Sequence, residues 1–412
     1  MGFGQGLSGL NAASSTLDVI GNNIANSGTA GFKGAAAKFA DIYAASAIGL
    51  GVQTSAIMQN FQVGNIETTG NQYDIAIDGP TGFFRLLDTS GEVVFSRNGQ
   101  FLKDREHYVV NSQGQRLTGY PPGAVGADPV ALTIPVGNVA PKATDDVNVV
   151  MNLNANVDLT TIVTPFDPDQ PASFHTAVPT TVYDSLGNDH QLTQYFVKRP
   201  AEDIGGTTYS TWEVYYYLGD EPMTIEGLAE GEPHKLRFDS AGVMYQPDAS
   251  LVVTFADPGG ADSPADELVI DVDFTGTTQF GSPFTQNIVP NGYASGEFAS
   301  VSFGDDGTIM AAYTNGQTQD IGIVVLANFN NIQGLTPAGG NAWRESPTSG
   351  PAILGQPGTN GMSRLLGQAI EQSNVDLSQE LVNLIIAQRT YQANAQTIST
   401  QDQILQTLMQ MR

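Results

Sequence analysis

The sequence predicts an α+β multidomain protein with long coiled-coil helices at the N- and C-termini and two mostly antiparallel all-β domains, the outer one inserted into the inner one. Three observations lead to this fold class. Apolar residues recur in steps of four and three at both ends of the chain, short alternating runs separated by turn residues fill the middle, and acidic residues concentrate in one central stretch.

The predicted boundaries follow from these changes of pattern. The terminal helical assembly core covers residues 1–26 and 374–412, connectors cover 27–70 and 358–373, the inner β domain covers 71–146 and 293–357, and the outer inserted β domain covers 147–292. With 412 residues, of which 41% are hydrophobic, the chain is long enough for two or three domains with cores of their own.

The N-terminal helix is predicted from one apolar face, the N-terminal seam. This seam contains Leu7, Leu10, Leu17 and Ile24, which are spaced along one side of a helix. Four glycines within the first nine residues weaken its first turns, so we expect this helix to form mainly by packing on the C-terminal one. Asp18 is the only charged side chain before Lys33, so the segment lacks the basic region of a cleaved signal peptide, and we expect neither a signal nor a membrane anchor.

The C-terminal helix is predicted from a longer face of the same kind, the C-terminal seam. It contains Leu377, Leu381, Leu384, Gln388, Tyr391, Ala395, Ile398, Asp402, Leu405 and Met409. A seam sustained over more than four heptads is typical of a coiled coil, which needs a partner helix to cover it. Its polar members Gln388 and Asp402 are expected to fix the register between helices.

The remaining faces of that helix carry few charged residues. They hold mostly Gln, Asn, Ser, Thr and Ala, whereas a solvated helix usually carries more ions. Such side chains suit contact with further helices, because no ion is then taken out of water. The sequence therefore predicts that the two terminal seams form an assembly surface; the alternative is a terminal helix within a monomeric bundle.

Motifs at both ends of the chain resemble those of one protein family. Residues 22–33, NNIANSGTAGFK, resemble the N-terminal signature of the bacterial flagellar axial proteins, which build the rod, the hook and the junctions beside it. Residues 373–377, 387–391 and 400–402 are similar to the signature at their other end. Within this family the hook proteins match best, through residues 315–318, 328–335 and 350–366.

The resemblance implies a structural role without catalysis or cofactor. A hook subunit self-assembles into a helical tube that acts as a flexible joint and transmits torque from the basal-body rod to the filament. The implied partners are many copies of itself, distal rod and hook–filament junction proteins at the two ends, and the hook cap and flagellar type III export apparatus during assembly. The implied location is the extracellular hook of the flagellum, reached without a cleaved signal peptide.

Two other functions stay open at this point. A distal rod protein shares both terminal motifs but is usually shorter and lacks a large insertion. A secreted β-rich adhesin or glycan-binding enzyme would explain an acidic β-rich chain, although it would not need two terminal seams.

The charge and composition of the chain exclude several classes of partner. The net charge of −26 and a pI near 4.1 argue against nucleic acid and against an anionic membrane surface. No run of 18 apolar residues is present, so we expect no membrane insertion. Cysteine is absent, which removes disulfides, thiolate chemistry and sulfur metal ligands together.

The segment of residues 27–70 is predicted as an irregular connector, because it is rich in small residues and has few long apolar runs. Within it, Phe39 and Tyr43 resemble the aromatic motif that hook-type subunits present to the export gate. The alternative is that these two residues, four apart, make one small helical contact.

The inner β domain is predicted from short strands and turn signals. Tyr73, Ile75 and Ile77 alternate as a strand with one buried face. Asn98-Gly99 is a strong hairpin signal. Further turns are predicted at residues 90–91, 113–114, 306–307 and 315–316.

The outer domain is predicted from strand runs at residues 182–188, 212–218, 236–243 and 268–274. Residues 147–290 hold 21 Asp and Glu against four basic residues, so this stretch carries most of the negative charge. That distribution suits a surface that stays soluble while the nearly neutral termini associate.

Nothing in the sequence indicates catalysis or a resident metal. His107, His175, His190 and His234 are scattered and lack the spacing of a zinc site. No nucleophile elbow, phosphate loop or dinucleotide fingerprint is present. The acidic loop 257–267 could offer oxygen ligands to calcium, but it lacks the EF-hand spacing and is expected to be solvated.

Overall fold

The computed structural model describes residues 2–42, 49–229, 231–260 and 263–410. It is mostly β, with one helix near each end of the chain. The chain divides into two compact units. Unit 1 comprises Met1–Val136, Ala299–Ala312 and Thr318–Arg412, and unit 2 comprises Gly137–Phe298 and Tyr313–Gln317.

Two helices occupy the terminal parts of unit 1. α1 spans Gly2–Ala25, and α2 spans Leu377–Gln410. The Asp376 carboxylate caps α2, because its Oδ1 accepts hydrogen bonds from the backbone N–H groups of Ser378 and Gln379 at 2.8 and 3.2 Å. This cap explains why α2 begins three residues after the start of the predicted helical segment.

The first part of unit 1 contains the strands β1 to β10. They are β1 (Ala35–Ile42), β2 (Gly51–Gln59), β3 (Ile66–Thr68), β4 (Ile75–Asp78), β5 (Phe83–Leu87), β6 (Val93–Ser96), β7 (Phe101–Lys103), β8 (Val109–Asn111), β9 (Arg116–Tyr120) and β10 (Val130–Ala131). Strands β1 and β2 pair only with each other among the described residues and form an antiparallel hairpin.

Unit 2 contains the strands β11 to β21. They are β11 (Asp146–Asn154), β12 (Thr176–Tyr183), β13 (Asp189–Ile204), β14 (Thr207–Leu218), β15 (Glu221–Pro222), β16 (Thr224–Ile225), β17 (His234–Phe238), β18 (Ser250–Phe255), β19 (Leu268–Asp273), β20 (Thr278–Phe280) and β21 (Thr285–Pro290). Short 3-10 helices lie at Leu159–Thr161, Pro171–Ser173 and Gln246–Asp248.

The last part of the chain contains β22 to β30. They are β22 (Phe298–Phe303), β23 (Thr308–Tyr313), β24 (Thr318–Val324), β25 (Leu326–Asn328), β26 (Thr336–Gly339), β27 (Ala342–Arg344), β28 (Ile353–Gly355), β29 (Arg364–Gly367) and β30 (Ala369–Glu371). A further 3-10 helix lies at Ile332–Gly334.

The main sheet of unit 1 joins strands from both parts of the chain. Its path runs β22-β23-β24-β9-β5-β6-β27-β26, while β29 pairs with β4 and β30 pairs with β3. Its core is aromatic: Phe83 contacts Trp343 and Phe329 edge to face, with ring centroids 5.7 and 6.0 Å apart. Pairing across such a sequence distance makes this core dependent on residues from both ends of unit 1.

Unit 2 consists of two sheets around one hydrophobic core. One sheet follows the order β16-β18-β19-β11-β20 with β21 beside β11, and the other follows β12-β13-β14-β15 with β17 beside β14. Inward side chains of both sheets, including Val149, Phe196, Trp212 and Phe274, are almost completely buried. The pairing is antiparallel except that β11 runs parallel to β19 and β20.

Four turns are confirmed and one predicted hairpin is wrong. Gly91, Gly114, Gly307 and Gly316 all have positive φ in turns between strands. At Asn98-Gly99, however, β6 and β7 do not pair with each other: β6 pairs with β5 and β27, and β7 pairs with β8. Gly99 instead permits a close backbone approach, because an added β-carbon would lie 1.6 Å from the carbonyl oxygen of Ile75.

Two further local predictions are corrected. The segment 27–70 is not irregular, because it contains the β1–β2 hairpin and β3; its small residues form strands that pack on α1. In β4, Ile75, Ala76 and Ile77 are all buried, so this strand has two buried faces rather than one.

Candidate functional site

The terminal helices pack against each other in antiparallel orientation. A β-carbon added to Gly9 would lie 2.8 Å from Asn394 Oδ1, and one added to Gly6 would lie 3.0 Å from Ile398 Cγ1. Glycine therefore lets α1 approach the late part of α2 closely. Two of the four glycines that weaken α1 in isolation, Gly6 and Gly9, are thus positions at which it meets α2.

Asn23 joins the other end of α1 to both of its neighbours. Its side chain is 2% exposed. Nδ2 donates to the carbonyl oxygen of Ala35 in β1 at 2.8 Å and to Glu380 Oε1 in α2 at 3.0 Å, while Oδ1 accepts from the Ala35 N–H at 2.9 Å. This buried amide is thus satisfied, and it fixes α1, β1 and the start of α2 together.

Asn374, in the C-terminal motif, contacts the chain just after the N-terminal motif. Its Oδ1 accepts from the backbone N–H of Gly34 at 2.8 Å, and its Nδ2 donates to the carbonyl oxygens of Asn60 and Gln62 at 2.7 and 2.9 Å. Residues that lie at opposite ends of the sequence therefore form one local structure at the base of the helices.

An apolar groove lies between α1, α2 and the β1–β2 hairpin. Its volume is about 560 Å³. The lining includes Ala12, Val19 and Ile20 of α1, Ala36 of β1, and Ile386 and Ala387 of α2. Small residues on three elements leave this groove unfilled by the chain's own large side chains.

The predicted seams are only partly covered within one chain. Half-buried members are Leu10, Leu17, Ile24, Leu384, Ala395 and Ile398. More than a third of the surface is exposed for Leu7, Leu377, Leu381, Tyr391, Leu405 and Met409. The register positions Gln388 and Asp402 are also exposed, and Asp402 Oδ2 accepts from Gln406 Nε2 within α2 at 2.9 Å.

The face of α2 that meets α1 is different from the predicted seam over much of its length. Covered residues outside the seam include Glu380, Asn383, Ala387 and Asn394, while the seam contributes Leu384, Ala395 and Ile398. Small and amide side chains permit a close helix pair, whereas large apolar residues would hold the helices apart. Most large apolar residues of α2 remain exposed in the single chain.

The exposed large apolar residues of this helix form the exposed apolar set of α2. Among the side chains described, its members are Leu377, Leu381, Val382, Ile385, Ile386, Tyr391, Ile404, Leu405 and Met409. Nine such residues on a helix of 34 are far more than scattered surface hydrophobics would explain. They mark a surface that is suited to contact with other chains.

The predicted export motif is only partly visible. Phe39 lies in β1 and is 41% exposed, while Tyr43 lies outside the described residues. The alternative of a helical contact is wrong at Phe39, because residues 35–42 form a strand.

A buried charge cluster was not predicted from the sequence. Lys33 Nζ lies 2.5 Å from Glu371 Oε1, and Arg97 Nη1 lies 3.4 Å from Glu371 Oε2; each side chain is at most 1% exposed. The signal that could have pointed to it is Lys33 itself, the first cation of the chain, placed within an otherwise uncharged motif.

The described part of the chain contains no group of three or more His, Cys, Asp or Glu residues that could hold a metal ion. In the acidic loop 257–267, Asp262 lies outside the described residues. No helix among the residues described is both long and apolar enough to span a membrane.

Four family models match consecutive parts of the chain. The flagella basal body rod protein model matches residues 5–33, and the flagellar hook protein FlgE/F/G D1 domain matches residues 76–152. The flagellar basal body protein FlaE D2 domain matches residues 152–293, and the flagellar basal body rod FlgEFG protein C-terminal model matches residues 366–411.

Full-length relatives and one solved structure carry the same description. The flagellar hook protein FlgE of Escherichia coli K12 is 44% identical over 421 residues, and that of Salmonella typhimurium LT2 is 42% identical, each covering 100% of both chains. The crystal structure of Helicobacter pylori flagellar hook protein FlgE2 covers 74% of this chain and 99% of its own, with a TM-score of 0.53 and 14% identity, which supports the fold. The chain therefore belongs to the flagellar hook protein family.

Proposed function

We propose that this chain is the structural subunit of a flagellar hook and assembles with many copies of itself into a helical tube. The observation that carries the proposal is the exposed apolar set of α2. Burying one Leu or Ile side chain contributes about 1.5–3 kcal/mol, so a set of nine provides a large drive for association. A non-closing contact between identical chains generates a helical polymer.

The two terminal seams are proposed as the coiled-coil contacts of that polymer. Leu7, Leu377, Leu381, Leu405 and Met409 are exposed in the single chain and would be covered by helices of neighbouring copies. Gln388 and Asp402 would set the register, because a polar side chain within an apolar seam disfavours shifted pairings.

The predicted division of the chain gives each part of the tube a role. We propose that residues 1–26 and 374–412 form the inner helical layer, that 71–146 and 293–357 form an inner β domain, and that the inserted domain 147–292 lies outermost. Acidic outer domains would slide past one another as the tube bends, because like charges disfavour tight contact. The joint would thereby transmit torque from the rod to the filament while it flexes.

The proposed partners follow from this position in the flagellum. They are the distal rod and hook–filament junction proteins at the two ends of the tube, and the hook cap and type III export apparatus during assembly. Export without a cleaved signal peptide is proposed, with Phe39 and Tyr43 as the export gate motif. The net charge of −26 argues against nucleic acid as a partner.

The proposal assigns no catalysis, cofactor or membrane insertion to the chain. The rod alternative is less well supported, because full-length relatives are named as hook proteins and the segment 152–293 matches a D2 domain. No observation favours an adhesin.

Removal of residues 381–412 tests the proposal directly. Under high-salt conditions in which the full chain polymerises, the truncated chain should stay monomeric, because most of the exposed apolar set is lost. Electron microscopy and sedimentation distinguish tubes from monomers, and curved tubes favour a hook over a straight rod. Circular dichroism of the truncated chain must show intact β structure; tubes formed by it would contradict the proposed helical core.

A further inference from the structure

The buried cluster of Lys33, Arg97 and Glu371 connects several segments of unit 1 through one carboxylate. Besides the contacts with the two cations, Glu371 Oε1 accepts from the backbone N–H of Gly64 at 2.8 Å. Lys33 Nζ also donates to the carbonyl oxygen of Gln62 at 2.7 Å. Segments far apart in the sequence are thereby held at one point.

Arg97 extends the cluster into the β part of unit 1. Its Nη1 and Nη2 donate to the carbonyl oxygens of Gly79 and Pro80 at 2.9 and 2.7 Å, and its guanidinium lies 5.3 Å from the centroid of the Phe83 ring. Phe83 belongs to the aromatic core of that unit. The cluster therefore links residues beside the terminal helices to the core of the β sheet.

The charges of the cluster do not balance. Two cations face one carboxylate, and all three side chains are buried. Burial lowers the pKa of Lys33 and of Arg97, while the Glu371 carboxylate opposes that shift in both. Glu371 is thus the group on which the burial of both cations depends.

The cluster also lies on both connections to the terminal helices. Lys33 lies between α1 and β1, and Glu371 is the last residue of β30, shortly before α2. We propose that Glu371 is a positioning residue that fixes both connections onto the β part of unit 1. Because Glu371 is far from both cations in the sequence, the cluster exists only when the N- and C-terminal parts of unit 1 are packed together.

Replacing Glu371 should destabilise the chain more than replacing Lys33. Glu371→Gln and Lys33→Met both remove the same ion pair. The first leaves two buried cations without a carboxylate, whereas the second leaves Arg97 paired with Glu371. A residue that merely fills space would not produce this asymmetry.

Trp343 provides a local probe of the attachment. Its indole Nε1 donates to Gln59 Oε1 at the end of β2 at 2.6 Å, and its ring contacts Phe61 with centroids 5.6 Å apart. The other tryptophan, Trp212, is buried in the core of unit 2. In a Trp212→Phe background, fluorescence therefore reports only on unit 1.

The experiment is urea denaturation of the full chain in that background. Glu371→Gln should lower the midpoint of the Trp343 transition by about 1–2 M, since loss of one partner from a buried pair is strongly destabilising. Lys33→Met should cause less than half of that shift. Asp305→Asn, which breaks the exposed pair with Arg364, serves as the control and should leave the midpoint unchanged.

A double variant keeps the test decisive if Glu371→Gln alone folds poorly. Lys33→Met combined with Glu371→Gln should recover part of the lost midpoint, because one buried cation is then removed. Equal shifts from the two single variants, or no recovery in the double variant, would overturn the proposal.

Any effect of the cluster on tube assembly rests on the proposed function of the chain as a hook subunit. The monomer measurement does not depend on it. Failure of the unmodified chain to form tubes would count against the proposed function alone, while unequal midpoints of the monomeric variants would still support the role of Glu371.

Discussion

Unit 2 buries most of its large apolar side chains, whereas helix α2 exposes most of its own. Among the described residues, unit 2 and α2 each contain nine large apolar side chains that are more than a third exposed. However, α2 has only 34 residues, and unit 2 is several times longer. Unit 2 buries 24 further apolar side chains in a core between two sheets. A single chain therefore completes unit 2, whereas α2 retains a surface that a single chain leaves uncovered.

The distribution of charge sharpens this contrast. Most acidic residues of the chain lie within the segment that forms unit 2, while α2 contains only Glu380, Arg389 and Asp402 as charged residues. Under the proposed function, repulsion between like charges would keep the surface of unit 2 apart from its copies, and the nearly uncharged helix would meet little such resistance. This contrast supports the proposal that stability and assembly reside in separate parts of the chain.

The largest effect is expected for a core residue of unit 2. Phe196→Ala should lower the free energy of unfolding of unit 2 by about 3–5 kcal/mol, because Phe196 is fully buried and its removal leaves a cavity. Urea denaturation followed through Trp212 in a Trp343→Phe background measures the loss. Tyr391→Ala on α2, where the residue is 37% exposed, is the matched control; followed through Trp343 in a Trp212→Phe background, it should change the stability of unit 1 by at most about 0.5 kcal/mol. A similar loss of stability from both variants would contradict the contrast between the core of unit 2 and the exposed residues of α2.

Acid should weaken unit 2 through His234. Burial, together with the nearby Arg237, lowers the pKa of this imidazole from 6.5 to about 4. Between those values the unfolded chain binds a proton that the folded chain does not, so stability is full above pH 6.5 and falls by about 3 kcal/mol as the pH decreases to 4.

His234→Gln should reduce that pH dependence, measured as urea midpoints at several pH values through Trp212. Burial also lowers the pKa of His175, which adds to the slope, so the difference between the two proteins is the informative quantity. An unchanged slope between pH 6.5 and 4 in His234→Gln would contradict the assignment to His234.

The Asp184 carboxyl acts in a lower pH range. Burial alone would raise its pKa, but hydrogen bonds, first that from His190, lower the pKa to about 2. The stabilisation from Asp184 is therefore lost only below pH 3.8, as the pH falls towards 2.

The smallest effect on the single chain is expected for the exposed apolar set of α2. Leu381→Ala combined with Ile385→Ala should leave monomer stability within about 0.5 kcal/mol, because both side chains are about half exposed. If neighbouring copies cover them, the critical concentration for polymerisation should rise about tenfold or more. Sedimentation of polymer against total concentration measures this rise.

Val269→Ala in unit 2 is the control for that experiment. Val269 is 46% exposed, close to the 45% of Leu381, but it lies in β19 among acidic residues. Its substitution should leave the critical concentration nearly unchanged. An equal rise from Val269→Ala would show that exposed apolar surface drives assembly wherever it occurs.

Local signals predicted much of the architecture but not the pairing partners. The helical period located α1 and α2, and turn glycines such as Gly114 and Gly316 marked real turns. Asn98-Gly99 predicted a hairpin, but the flanking strands β6 and β7 pair with other strands. Gly99 is needed there because the backbone of Ile75 lies close to it. The β1–β2 hairpin was missed because small residues give weak strand signals, and here packing on α1 supports the strands.

The sequence predicted the residue types of the candidate site but not its contacts. The seam pattern identified which side chains of α2 are apolar, but it did not show which of them one chain covers. Gly6, Gly9 and Asn394 decide that question, since they let α1 settle on a face of small and amide residues. The buried partners of Lys33 were equally hidden, because Arg97 and Glu371 become neighbours only through long-range strand pairing.

Residue type and local spacing were enough to predict the terminal helices, the β strands of the middle, the region of negative charge and the two terminal motifs. The three-dimensional packing was needed to show that α1 meets α2 through Gly6 and Gly9, that Glu371 joins Lys33 to Arg97, and that Leu381 is exposed. These features depend on which backbones approach one another, and a one-dimensional pattern of residue types does not specify that approach.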